Sequence, residues 1–350
     1  MTENTTPILA YFDSSHDCPE ELIMAAGFHP YKILGDVHTS TDLGDQYLSN
    51  FFCPAARSML SDALINAAKW QGIVVAHGCD ATNRHFDVWK KHVPTPFIYW
   101  VNSPLNMNET GKKFFKVELK RMAKTLEDQF QIDITPAKIE SAIQESNTLK
   151  KLMQSLATLR ATKDISNREY FTMCQKSVQQ DKKSLFSELK TLLKDWQERA
   201  PFPSSKKKIF LTGSDITYGE WMDLLDECNL RVVRDDLSIG ERYFATLISE
   251  NMGNDVLDRL IEYYFTIPRP ATKNPPDLRA SYILEGMKSN NLAGVLSQNL
   301  KFCEPYAFDS VYTVQQVKDA GYQIMHLERE FTADIDHQLK TRIEAFGEML

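Results

Sequence analysis

From residue 108 to residue 200 the chain contains one glycine and one proline, and its apolar residues recur at the spacing of a helix face. The segments "FFKVELKRMAKTLEDQF", "AKIESAIQESNTLKKLMQSLATLR" and "SLFSELKTLLKDWQE" carry that period without a strand-like alternation. They are too short for a coiled coil and read as a helical insertion or hairpin bundle. The flanks behave differently. Before the insertion, short apolar runs at 29–34, 72–78 and 97–101 read as strands, and 19–27, 54–70 and 80–92 read as helices. After it, runs at 208–214, 230–236, 292–298 and 322–328 read as strands. Helical patterns including "YGEWMDLLDECN" and "QLKTRIEAFGEML" lie among them. Strands separated by helices of this length make βαβ units and a mainly parallel sheet. The expected organisation is therefore an N-terminal α/β domain at 1–107, a helical segment at 108–200 and a C-terminal α/β domain at 201–350. "RAPFPSSKKK" forms the linker into the last of these.

Composition narrows the function classes. A net charge of −7 argues against broad electrostatic attraction to nucleic acid or to an anionic membrane. No run approaches the length of a membrane span. The start, "MTENTTPILAYFDSSHDCPEE", lacks the basic opening and apolar core of a secretory signal. A cytoplasmic protein is expected.

Six cysteines, at 18, 53, 79, 174, 228 and 303, are scattered without a CxxC pair, so no disulfide scaffold is indicated. Three share a local setting. Cys53 in "SNFFCPAARS", Cys79 in "VVAHGCDATNRH" and Cys303 in "NLKFCEPYAFD" each stand directly before a helical pattern. Cys79 and Cys303 also end apolar runs. In open parallel sheets ligands bind beyond the carboxyl ends of the strands, where helix N-termini favour a thiolate over a thiol. Three converging thiolates suit an iron–sulfur cluster better than structural zinc, which wants four closed ligands. Spacing alone leaves the plainer reading open, in which each thiol is a small buried hydrophobe. Cys174 and Cys228 lie within helical patterns and Cys18 precedes Pro19; these three read as structural.

The ordered series "PEELIMAAGFHP", "FFCPAARS", "GCDATNRHFDVW", "IFLTGS", "DDLSIGERYF", "LKFCEPYAF" and "QLKTRIEAFGEML" resembles the motifs of the 2-hydroxyacyl-CoA dehydratase family. That family also includes the ATP-dependent benzoyl-CoA reductases, and the resemblance is to its D-component-like subunits. It covers essentially the whole chain. It implies two Rossmann-like (flavodoxin-like) parallel-sheet domains and a [4Fe-4S] cluster on Cys53, Cys79 and Cys303. It also implies an acyl-CoA substrate, a homologous second subunit in a heterodimer, and a separate ATP-dependent iron–sulfur activator protein. The implied reaction is loss of water from a 2-hydroxyacyl-CoA through a ketyl radical anion, giving a 2-enoyl-CoA. In the reductase branch electrons instead reduce an aromatic ring, and some subunits chiefly relay electrons. Many members carry further cysteines where this chain has Ser15 and Ser238, and with serine at both places a single cubane is expected.

Other residues are candidates with structural alternatives. Ser14, Ser15 and His16 occupy the loop where the family places polar substrate contacts, although Ser is also a favoured N-cap. Glu20 and Glu21 are candidate bases, or favourable first-turn charges. Asp80 and Glu304 are either tuning groups beside the ligands or helix caps. His77 and His85 flank Cys79 and read as satisfied packing residues. Asp235, Asp236, Arg242 and Tyr243 are candidates for structural polar contacts. The "LTGSD" segment (211–215) lacks a nucleotide-loop pattern. Lys112, Lys113, Lys116, Lys120 and Arg121 form a basic helical stretch, fit either for coenzyme A phosphates or for water.

Overall fold

A computed structural model describes residues 6–350. Its first part runs β1 (Ile8–Phe12), α1 (Glu20–Ala25), β2 (His29–Lys32), α2 (Asp42–Asp45), α3 (Pro54–Asn66), β3 (Gly72–Ala76), α4 (Asp80–His92) and β4 (Ile98–Val101). Four helices follow: α5 (Glu109–Phe130), α6 (Pro136–Arg160), α7 (Asn167–Gln179) and α8 (Lys182–Glu198). The remainder runs β5 (Lys207–Gly213), α9 (Glu220–Glu227), β6 (Leu230–Asp235), α10 (Glu241–Phe244), α11 (Val256–Thr266), α12 (Asp277–Ser289), β7 (Gly294–Leu300), α13 (Glu304–Asp319), β8 (Gln323–Arg329) and α14 (His337–Met349).

The strands form two four-stranded, all-parallel sheets, ordered β2-β1-β3-β4 and β6-β5-β7-β8. The orders are equivalent, so the two halves repeat one Rossmann-like topology. Their near-continuous apolar runs, such as the fully buried "GIVVA" of β3, are what a sheet covered on both faces requires.

The helical segment does not stand apart. Leu119, Met122 and Ile143 pack with Leu9, Tyr11 and Val74 of the first sheet. Leu149, Met153, Leu185 and Trp196 pack with Ile209, Leu211 and Leu296 of the second. Local chemistry sets the ends of these helices. Asn108 caps α5 and Thr135 caps α6, with Pro136 opening the latter. Ser166 and Glu169 close a capping box on α7. No helix among the described residues is long and apolar enough to cross a membrane.

In each sheet the strand order reverses between the first and third strands, β1 and β3 in one, β5 and β7 in the other. Such a reversal opens a crevice beyond the carboxyl ends of those strands. The loops that matter are therefore those leaving β1, β3, β5 and β7.

Candidate functional site

Cys53, Cys79 and Cys303 each occupy the residue immediately before a helix: α3, α4 and α13. Cys79 follows β3 by three residues and Cys303 follows β7 by three, so both lie at the two crevices. Cys53 is placed differently. Helix α2 and a long loop separate it from β2, so it opens a helix without closing a strand. All three are half-buried and unbridged.

Their environments place them near one another. Burial pushes the Cys53 thiol up to about 11, and the nearby Cys79 adds to the rise. Burial raises Cys303 well above the ordinary thiol value, with the charges of Cys53 and Cys79 next in size. The backbone amides of Ala55 and Ala56 act against this at Cys53, as does that of Tyr306 at Cys303. These are first-turn N–H groups of α3 and α13 offered to sulfur.

A carboxylate stands with them. Asp215 lies two residues past β5, and its charge reaches both Cys53 and Cys303. Its Oδ1 is buried without a hydrogen-bond partner. Thiols and a carboxylate gathered in one place oppose one another's ionisation, with Lys32, Arg242 and Arg329 near the carboxylate. Among the described residues no three His, Cys, Asp or Glu side chains are placed to grip a single metal ion. A cubane spreads its irons over a cage, so its thiolates stand farther apart than the ligands of one ion. In its chemistry, three thiols with a carboxylate close by, the donor set is of the kind an iron–sulfur cluster takes.

The loop leaving β1 is folded onto the same place. Ser14 Oγ accepts a hydrogen bond from the Cys79 amide at 3.1 Å. A Cβ on Gly78 would lie 2.2 Å from Ser14 Oγ and 2.7 Å from Ser15 Oγ, so the close approach requires glycine there. Ser15 Oγ pairs with Thr272 Oγ1 at 2.6 Å. His16 adopts φ +59°, its buried ring meets Tyr243 edge-on at 5.2 Å, and its Nδ1 has no partner. Burial, aided by Lys32, holds that imidazole well below its ordinary value. Two ion pairs brace the loop: Asp13 with Lys32 at 2.6 Å and Asp17 with Lys273 at 2.5 Å.

Glu21, the candidate base, is engaged elsewhere. Its Oε1 accepts from Ser146 at 2.8 Å and from Lys150 at 3.5 Å, and its Oε2 accepts from Tyr264 at 2.8 Å. Glu20 is bound by Tyr11, Lys182 and Tyr243. Both carboxylates tie the helical segment to the first sheet.

The remaining candidates settle into structural places. Asp80 and Glu304 are exposed at the openings of α4 and α13. His77 Nδ1 meets the Ser103 carbonyl at 3.1 Å. His85 is buried as expected, but against Phe12, Phe52 and Trp89 with neither nitrogen partnered, so it is not a satisfied packing residue. Asp235 pairs with Arg160 at 2.9 Å and Asp236 with Arg279 at 2.8 Å. Lys112 and Lys116 of the basic stretch bind Glu262 and Asp258 of α11, leaving Lys113 and Lys120 in water. A surface cleft of about 350 Å³ lined by Phe28, Lys138, Ala142 and Asp181 touches none of the three cysteines, so the thiols and not the open clefts mark the chemistry.

Three features of the site escape a reading of the sequence. Asp215 shows there only as part of a weak glycine-poor segment. Arg242 Nη2 donates to Tyr306 Oη at 2.7 Å, one helical turn into α13 from Cys303, while its Nε and Nη1 stay unpartnered. Lys32 ends β2 and reaches across the first crevice to Asp13. Arg242 stands out only as a polar residue of "DDLSIGERYF", and the sequence does not show that the three meet, because topology alone brings them together.

Known proteins similar to this chain include dehydratase and reductase subunits. The (R)-phenyllactyl-CoA dehydratase beta subunit of Clostridium sporogenes is 26% identical over 336 residues, covering 95% of this chain and 89% of that one. The (R)-2-hydroxyglutaryl-CoA dehydratase beta subunit of Acidaminococcus fermentans is 23% identical, covering 95% and 90%. A benzoyl-CoA reductase subunit of Thauera aromatica is 23% identical, covering 82% and 76%. The family described as "2-hydroxyglutaryl-CoA dehydratase, D-component" matches residues 16–350, and the chain belongs to it.

Proposed function

We propose that this chain is the [4Fe-4S]-carrying subunit of an ATP-activated radical 2-hydroxyacyl-CoA dehydratase. The observation that carries the reading is the gathering of three helix-opening thiols from distant parts of the sequence, with Cys53 and Cys303 near Cys79 and each presented with helix amides. Cys53, Cys79 and Cys303 would hold the cluster. When bound, it supplies a one-electron donor for the chemistry of the thioester.

The chain's own contribution is to bind, orient and shield. Ser14 fixes the turn before Cys79, and Thr272 fixes the hydroxyl of Ser15. His16, neutral at physiological pH through burial, offers one unpartnered nitrogen for a proton or a hydrogen bond. Around Cys53 and Cys303 the surface is apolar. Phe51, Phe308 and Val311 are 80%, 81% and 74% exposed, and Phe302 meets Phe51 edge-on at 6.1 Å. An exposed apolar rim of this kind marks a protein contact. It supports a homologous subunit and an electron-delivering activator as partners, in line with relatives named beta subunits.

The likeness to a benzoyl-CoA reductase subunit supports the reductase alternative. Product analysis separates the two. The anaerobic complex of this chain with its homologous subunit, given activator, ATP and a panel of 2-hydroxyacyl-CoA thioesters, is expected to release products lighter by one water. Benzoyl-CoA is expected to remain unchanged. Gain of two hydrogens on benzoyl-CoA without dehydration of any thioester would overturn the dehydratase reading.

A further inference from the structure

Asp215 is held as firmly as the cysteines themselves. The amide of Leu300 donates to Ser214 Oγ at 2.5 Å, Gln298 Nε2 donates to the Ser214 carbonyl at 2.6 Å, and Arg329 Nη2 donates to the Asp215 carbonyl at 2.6 Å. All three donors come from β7, which leads into Cys303, or from β8 beside it. At Gly213 the backbone takes φ +127°, and a Cβ would stand 1.7 Å from the Gln298 carbonyl oxygen. Only glycine turns the chain there. The carboxylate is thus delivered from one side of the β5/β7 crevice and Cys303 from the other.

Its side chain has no protein function on view. The buried Oδ1 accepts no hydrogen bond, although Lys32, Arg242 and Arg329 are all near enough to feel its charge. A buried carboxylate oxygen without a hydrogen-bond donor is unfavourable, so its retention calls for a partner beyond the hydrogen bonds of the polypeptide. Beside it are the thiols of Cys53 and Cys303. Three cysteines on a four-iron cubane leave one iron without a protein donor, and carboxylate oxygen is an ordinary ligand for iron.

We propose that Asp215 is the fourth protein donor to the cluster, its carboxylate binding the iron that no cysteine reaches. The inference rests on the cluster reading above and deepens it. With every iron held by a side chain, this subunit passes its electron onward, and the acyl thioester is bound by the homologous partner. A carboxylate at this place also shields the fourth iron from small competing ligands.

The test uses the full chain, reconstituted without oxygen, as wild type, Asp215→Asn and Asp215→Ala. Asn keeps the shape of the side chain, and far-UV circular dichroism confirms that each variant is folded. Iron per chain is measured first, then the electron paramagnetic resonance spectrum of the reduced protein is titrated with cyanide. The wild-type signal is expected to be insensitive to cyanide. Asp215→Ala, with its iron retained, is expected to shift and to bind cyanide at least about tenfold more tightly. Asp215→Asn is expected to fall between them. A wild-type protein that shifts as readily as Asp215→Ala would overturn the assignment while leaving the cluster intact. Spectra that are identical in all three proteins, with or without cyanide, would overturn it too, because the carboxylate then binds only water. Iron absent from every preparation would refute the cluster reading itself, and this inference with it.

Discussion

Replacing Lys182 by methionine is expected to remove about 3–5 kcal/mol of folding stability, because it strands a buried carboxylate. Lys182 is 2% exposed and donates to Glu20 Oε2 and to Tyr243 Oη, each at 2.9 Å. Tyr11 also donates to Glu20, and Tyr243 donates to it at 2.8 Å. Those residues belong to β1, α1, α8 and α10, so one cluster joins both sheets to the helical segment. Burial pushes the Glu20 carboxyl up, but the Lys182 charge and the Tyr11 hydrogen bond outweigh it and hold the group below the usual carboxylate range. A folded value below the unfolded one gives stability that is fully present above the ordinary carboxylate pKa. That stability is lost as pH falls through the lower folded value. The double variant Glu20→Leu/Lys182→Met should recover most of the loss, since apolar replacement of a whole buried pair is often neutral. Denaturant unfolding of the three proteins at neutral pH measures both effects. A single variant within about 1 kcal/mol of wild type would show that the pair is solvated and unimportant.

His85 should make the chain acid-sensitive well above the carboxylate range. Burial lowers its pKa to about 3, and the nearby Ala56 backbone offsets little of that. The ring lies among Phe12, Phe52 and Trp89, none of which favours a proton on it. An unfolded histidine takes up a proton near its ordinary value, about 6.5, whereas the folded one does not. The unfolded state therefore binds more protons across that window, and stability falls as pH falls through it. The loss between about pH 7.5 and pH 5 is about 2 kcal/mol from this residue. His85→Leu should flatten the pH dependence by that amount in urea titrations at several pH values. An unchanged slope would mean that His85 takes up its proton in the folded chain.

The strands and helices are largely legible in the sequence because both sheets are covered on two faces. The run at 72–78 is a nearly continuous apolar block between turn residues, and β3 lies inside it. The one strand absent from that reading is instructive. "ILAYF" pairs with both β2 and β3, yet it stands near the start of the chain beside the unusual "DSSHDC" loop, where its pattern merges with the terminus. Helix starts are legible where proline or an acid follows the cysteine, which is why Cys53, Cys79 and Cys303 stand out together. Glu21 stands out for the same reason, although its acidity serves Ser146, Lys150 and Tyr264 deep in the core. Lys32 carries no local mark, Asp215 lies in the weak "LTGSD" segment, and Arg242 shows only as a polar residue of "DDLSIGERYF". Their meeting depends on which strands are neighbours, and a single sequence does not state that.

The cluster itself is tested most directly by counting iron and acid-labile sulfide per chain on protein purified without oxygen, alongside Cys303→Ala. The account predicts about four of each in the wild type, as for one cubane, and their loss in the variant. Absence of iron, with a variant indistinguishable from wild type, would contradict it and reduce Cys303 to a packed thiol. About eight irons per chain would contradict the single cubane and demand ligands beyond these three cysteines.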